Sequence, residues 1–157
     1  MSPPCTTFEE LDRVDTLRTR SYVKVQDGCN NFCSYCIIPY LRGRSRSRSP
    51  ESILGEINAL SPKETVINGI NLSAYDYNGT GLKGLIEKLR DCDTRIRLGS
   101  LEVNVIDDEF LTALKGLNNF APHFHLSLQS GSNAVLKKMN RHYTREEYLE
   151  KVNLIRK

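Results

Sequence analysis

Apolar and polar positions alternate along this chain in two different periods, and each period marks a kind of element. Tyr22 to Gln26 (YVKVQ) switches every second residue and predicts a strand. Ser49-Pro50-Glu51 supplies an N-cap, a proline at the first helical position and an acid in the first turn; Ile53, Leu54, Ile57 and Leu60 then give that helix its apolar face. ETVING (64–69) reads as the next strand, and Leu82, Leu85, Ile86 and Leu89 mark a second helix. RIRLGS (95–100) alternates again. Asp107 and Asp108 open a helix carrying Phe110, Leu111, Leu114 and Leu117. HFHLSLQ (123–129) alternates most clearly, a short helix follows with Val135, Leu136 and Met139, and Thr144 with Glu147 forms a capping box for a last helix whose Tyr148, Leu149, Val152 and Ile155 face inward.

Strand, loop and helix thus recur at roughly 30-residue spacing, the length of one βαβ unit. The expected fold is α/β, with about four parallel strands and outer helices. An open parallel sheet buries both faces, so its strands should be apolar throughout. HFHLSLQ is not: Phe124, Leu126 and Leu128 share one face, while His123, His125, Ser127 and Gln129 share the other. A (β/α) barrel suits this better, with the apolar side under the helices and the polar side lining a lumen. Four strands cannot close a barrel, and the last element is a helix where another strand is due. Residues 1–20 lack a period and read as a linker remnant; 21–157 read as the N-terminal portion of a barrel domain.

Composition narrows the setting. Of 157 residues, 39% are hydrophobic and 26% charged, values suited to a packed domain and not to disorder. The net charge of +3 permits a nucleic-acid partner without requiring one. The N-terminus MSPPCTTFEELDRVD has no apolar signal-peptide core, and no run approaches the ~18 apolar residues of a membrane span. The expected compartment is the cytoplasm, with no membrane partner.

Three of the five cysteines, Cys29, Cys33 and Cys36, fall within eight residues. In a reducing compartment such clustering points to metal or catalysis, not to a disulfide framework. Three small buried residues on one helix would need a helix that Gly28, Asn30, Asn31 and Pro39 disfavour. Structural zinc takes four ligands, and His123, His125 and His142 are far along the chain. A redox dithiol of Cys33 and Cys36 would leave Cys29 idle. An iron–sulfur cluster takes thiolates, and three of them leave one iron of a [4Fe–4S] cube open to a ligand.

The spacing Cys-x3-Cys-x-Tyr-Cys resembles the signature of radical S-adenosylmethionine (SAM) enzymes, whose cluster loop follows the first strand of a (β/α)6 barrel. The blocks KVQDGCNNFCSYCIIPYLRGRSRSRSPESILGEI, INGINLSAY, RIRLGSLE and HFHLSLQSGSNAVLKKMNRHYT resemble, in that order, the radical SAM domain of methylthiotransferases over most of residues 20–157. KVQDGCNNFCSYCIIP and RIRLGSLE are most similar to the branch acting on N6-threonylcarbamoyladenosine beside the tRNA anticodon. The branch acting on isopentenyladenosine comes second; another family member acts on a ribosomal protein.

The resemblance implies that Cys29, Cys33 and Cys36 ligate a [4Fe–4S] cluster whose open iron chelates SAM, and that one electron converts SAM to a 5′-deoxyadenosyl radical. It places Tyr35, Ile37 and Ile38 near the adenine, Asn68-Gly69 at the SAM amino group, and Ser100 and Glu102 on the ribose or sulfonium side. Ser127, Gln129 and Ser130 are expected in the lumen, and Arg141 at a carboxylate that its fork geometry suits. His125 is a further candidate for the SAM side. Arg42, Arg44, Arg46 and Arg48, four cations in seven residues, are expected to meet tRNA phosphates. The sequence names no electron donor.

Full-length methylthiotransferases carry an N-terminal domain with a second cluster and a C-terminal β-rich RNA-binding domain. Neither is found in this chain, and Cys5 and Cys92 are too isolated to supply the second cluster. A fragment of such an enzyme is expected, with a non-catalytic RNA-binding module as the alternative.

Overall fold

A computed structural model describes residues 7–10 and 19–157. The linker expected over 1–20 lies almost wholly outside the described residues, as does Cys5. The chain runs β1 (Arg20–Asp27), α1 (Ile38–Leu41), β2 (Arg46–Ser47), α2 (Pro50–Leu60), β3 (Glu64–Gly69), β4 (Asp76–Tyr77), β5 (Thr80–Gly81), α3 (Leu82–Lys88), β6 (Arg95–Leu98), β7 (Ser100–Leu101), α4 (Asp108–Lys115), β8 (His125–Leu126), α5 (Asn133–Lys138) and α6 (Arg145–Arg156). Single 3-10 turns at Leu72–Ala74 and Val103–Val105 complete it. Among the described residues, no helix is long and apolar enough to cross a membrane.

The sheet order is β2-β1-β3-β6, with β1, β3 and β6 parallel and β2 antiparallel to the last residues of β1. Beyond β6 the sheet curls on: Phe120 bridges Ile96, and β8 pairs in parallel with β7. The result is a half-barrel. At its amino-terminal rim the register sets Arg20, Glu64 and Arg95 side by side. Glu64 pairs with Arg20 at 2.5 Å and with Arg97 at 2.9 Å, and the Arg97 hydrogen bond, against burial, holds its carboxyl below the usual range.

The core lies between sheet and helices. Val23, Val25 and Ile67 face Ile53 and Ile57 of α2, Leu85 and Ile86 of α3, and Phe110 and Leu114 of α4, all essentially inaccessible. Each contributes about 1.5–3 kcal/mol by leaving water. The helix starts match their sequence signals: Ser49 accepts from the Ser52 N–H, Asp107 from Phe110, and Thr144 with Glu147 closes the capping box.

Three details differ from the pattern. The strand expected over 123–129 is regular only at His125–Leu126: the ladder begun at Phe120 stops where the His123 N–H turns back to the Ala121 carbonyl at 2.6 Å. Its Phe124 and Leu126 pack on the core, but Leu128 is exposed. The strand expected over 95–100 changes partner at Gly99: its N–H makes the last bond to β3, to the Ile67 carbonyl at 2.8 Å, and Ser100 and Leu101 pair with β8 instead. The last helix has no fully buried residue: Tyr148, Val152 and Ile155 are half-covered and Leu149 faces solvent.

Candidate cluster and cofactor site

The carboxyl ends of β1, β3 and β6 point to one end of the half-barrel, where ligands of parallel α/β sheets bind. The cysteine loop leaves β1 there. Gly28 makes the first turn at φ +69°, and a Cβ on it would sit 2.1 Å from the Arg44 carbonyl oxygen. Only glycine fits such a left-handed, crowded position. Asp27, with its side chain 1% exposed, accepts from the Gly28 N–H at 2.8 Å, from Lys24 Nζ at 2.7 Å and from Arg46 Nη2 at 2.9 Å. Burial pushes its carboxyl up, but the Lys24 and Gly28 hydrogen bonds and the Lys24 and Arg46 charges prevail and hold it below its ordinary value.

The loop is also gripped from the far end of the chain. Ser34 N–H donates to the Met139 carbonyl at 3.2 Å, and Ser34 Oγ to that of Lys138 at 2.8 Å. Asn140 Nδ2 donates to the Asn31 and Phe32 carbonyls at 3.0 and 3.1 Å. Phe32, Gln129 and Asn140 all have positive φ, at 47°, 63° and 55°. Such strain in non-glycine residues persists only where the surroundings fix it, and it gathers at functional sites.

Cys29, Cys33 and Cys36, all free thiols, line a cavity of about 220 Å³. Asn71 Nδ2 lies 3.8 Å from Cys29 Sγ, and Arg141 Nη1 donates to Cys33 Sγ at 3.3 Å. The Arg141 side chain, 6% exposed, is ion-paired to Glu102 at 2.7 Å and lies over the Tyr143 ring. Burial works against its charge; the Cys33 sulfur and the Glu102 carboxylate outweigh it and hold the guanidinium more firmly protonated than usual. Its Nε is buried with no hydrogen-bond partner, a donor left for a bound group. Glu102 also accepts from Asn31 at 2.7 Å and Asn71 at 3.5 Å. Gln26, fully buried, accepts from the Asn71 N–H at 2.8 Å and so sets that loop.

Of the expected cofactor contacts, Tyr35, Ile38, Ser100, Glu102, Ser127, Gln129 and Arg141 border this cavity. Ile37 faces solvent instead, turned outward at the start of α1. Asn68 and Gly69 do not border it. Asn68 Oδ1 accepts the Gly69 N–H at 3.0 Å, and Gly69 is open for the Gln26 side chain, 3.0 Å from where a Cβ would be. Ile70 and Asn71 line the wall there. His125 Nδ1 meets Ser100 Oγ at 3.0 Å. The carboxylate expected for Arg141 is, within the chain itself, Glu102. Asn31, Asn71 and Asn140 were missed by the sequence reading: asparagine in a turn signals backbone geometry first, and nothing local told these from ordinary turn residues.

The four arginines divide. Arg46 pairs with Asp27, and Arg48 with Glu10 at 2.7 Å and with Glu56; both are largely buried. Two of the four expected at tRNA phosphates thus have anions within the chain, as a buried cation requires. Arg42 and Arg44 stay outside, Arg42 only 3.6 Å from Asp27 and Arg44 over the Phe32 ring at 4.6 Å.

The donor set fits an iron–sulfur cube. Three thiols face one cavity, two within reach of N–H donors, and a buried orphan donor stands beside them. Among the described residues, no three metal-binding side chains are drawn round a single point, as one ion would need. A cube asks otherwise, because each thiolate binds its own iron.

Fold and site together define a partial (β/α) barrel with a thiol-lined pocket at the carboxyl ends of its strands. The radical SAM superfamily model matches residues 23–157, and the chain belongs to that family. Its members use a [4Fe–4S] cluster and SAM. The chain is 45% identical to the threonylcarbamoyladenosine tRNA methylthiotransferase MtaB of Chlamydia pneumoniae over 96% of its own length and 37% of that protein. It is 42% identical to the tRNA-2-methylthio-N(6)-dimethylallyladenosine synthase of Azobacteroides pseudotrichonymphae, over 92% of this chain and 34% of that one. It thus spans about a third of the curated relatives it matches. The radical SAM methyltransferase TsrM of Kitasatospora setae, solved with cobalamin and a [4Fe–4S] cluster, superposes with a TM-score of 0.68 at 20% identity, over 86% of this chain and 26% of that one, a likeness of fold.

Proposed function

We propose that this chain is the cluster- and SAM-binding part of a tRNA methylthiotransferase, a transferase that adds a methylthio group to a modified adenosine beside the anticodon. N6-threonylcarbamoyladenosine is the preferred substrate. The identity of 45% to two relatives named for that base supports it; the dimethylallyladenosine enzymes follow at 41–42%, and a third relative named for threonylcarbamoyladenosine stands at 40%. Sulfur delivery and further RNA contact belong to the segments outside the matched third of those relatives.

The observation that carries the proposal is the convergence of Cys29, Cys33 and Cys36 on one cavity with the Arg141–Glu102 pair. In this reading the three thiolates hold the cluster, which with SAM supplies one-electron hydrogen abstraction. Arg141 donates to the Cys33 sulfur, orients Glu102, and offers its remaining donor to the SAM carboxylate. Tyr35 and Ile38 cover the adenine, while Ser100, Ser127 and Gln129 supply polar contacts. Free thiols here agree with a cytoplasmic setting.

Anaerobic reconstitution with iron and sulfide tests this. Close to four irons per chain, a cubane EPR signal that changes on adding SAM, and loss of both in Cys33→Ala are expected. A folded chain that takes up no cluster contradicts the reading and leaves RNA binding without catalysis.

A further inference from the structure

Beside the cavity mouth the chain exposes a compact apolar surface. α1 follows the cavity-lining Cys36, and Ile38 still faces the cavity, but Tyr40 is 69% exposed and Leu41 64% exposed, with Ile37 just before them. These residues are not loose. Tyr40 meets the Phe32 ring edge-on at 5.8 Å, and the Arg44 guanidinium lies over the Phe32 ring, 4.6 Å from its centroid. Phe32 is itself fixed in a left-handed turn by Asn140. Arg44, Phe32 and Tyr40 thus form one braced stack. Arg42 borders it, and the backbone of Lys138 holds Ser34 on the other flank, where Lys137 and Lys138 are exposed. Among the described residues, Arg44, Lys137 and Lys138 form no ion pair with a carboxylate.

An exposed ring on a rigid support, here Tyr40 braced by the half-buried Phe32 and flanked by unpaired cations, is the means by which proteins hold single-stranded nucleic acid: a base stacks on the ring and phosphates meet the cations. We infer that the Phe32–Tyr40–Arg44 surface is a platform for an unpaired RNA base adjoining the one whose chemistry the cavity performs. This rests on the reading of RNA as substrate, and it adds the way the RNA is held: a splayed loop stacked on α1, and not a duplex tracked by its phosphates alone. The charge of the rim favours RNA over a second copy of the chain, whose own α1 rim would bring like charges together.

The test measures binding of the chain to an anticodon stem-loop RNA and to a fully paired duplex of equal length, across a salt series. The stem-loop binds better than the duplex. Tyr40→Ala weakens stem-loop binding roughly 5- to 150-fold without changing the salt slope. Arg44→Ser lowers the slope by roughly 0.7. Circular dichroism and cluster content match the parent, since Tyr40 supports no core. If the parent binds RNA but Tyr40→Ala binds as tightly, or the duplex binds as well as the loop, the platform is overturned while the substrate reading stands. Self-association abolished by Leu41→Ser assigns the surface to a second copy and also overturns it. A parent that takes up its cluster but binds no RNA overturns the platform, while the cluster-binding reading stands or falls by the reconstitution.

Discussion

At the scale of single residues, Asp27 links the barrel to the cysteine loop. Its carboxylate satisfies Lys24, Arg46 and the Gly28 N–H while nearly inaccessible. Asp27→Asn leaves Arg46 with no buried counter-charge, and breaking such a pair costs about 3–5 kcal/mol. Because folding lowers the Asp27 pKa, the stabilisation is fully present above the ordinary carboxylate range and disappears as pH falls through the folded-state value. Urea melts should therefore show Asp27→Asn well below the parent at neutral pH and the two drawing together in acid. A second consequence concerns Arg141. Hydrogen bonds to a cluster sulfur raise its reduction potential, so Arg141→Met should lower the midpoint of the reconstituted cluster in an EPR-monitored titration, with iron content retained.

At the scale of elements, stability is uneven. β1, β3 and β6 sit under α2, α3 and α4, whereas α6 buries no residue completely and α5 buries only Leu136. Hydrogen exchange should be slowest over 21–27 and 64–68 and fastest over 145–156, because opening free energy follows buried apolar contact. Equal protection in the two regions contradicts this account. The same contrast explains what the sequence told. ETVING ends where β3 ends, and the Ser49, Asp107 and Thr144 caps are where their side chains indicated, because those signals are local. The turn of the His123 N–H back to Ala121 and the outward turn of Leu128 depend on how the sheet curls, which alternation in HFHLSLQ does not encode. β2 was invisible because its two residues lie in a Ser-Arg repeat and become an edge strand only by backbone pairing with the end of β1, where Arg46 also meets Asp27.

At the scale of the whole molecule, the site is assembled from the ends of strands distant in sequence. The cysteines were legible because three thiols at short spacing have few explanations. Their surroundings were not: Asn71, Asn140 and Gln26 act through contacts that appear only once β1, β3 and the turn after α5 stand side by side. The arginine run told less, since a charge pattern shows which cations exist but not which have anions already. Asp27, Glu10 and Glu56 supply those.

The grip of Asn140 on the cysteine loop also orders events in time. The two are 109 positions apart, so a ribosome making roughly 5–20 residues per second exposes the three thiols about 5–20 s before it makes the side chain that holds their loop. During that interval the nascent thiols have no Arg141 donor and no braced Phe32 turn. Any cluster acquired then sits in a pocket that Asn140 and Arg141 have not yet closed.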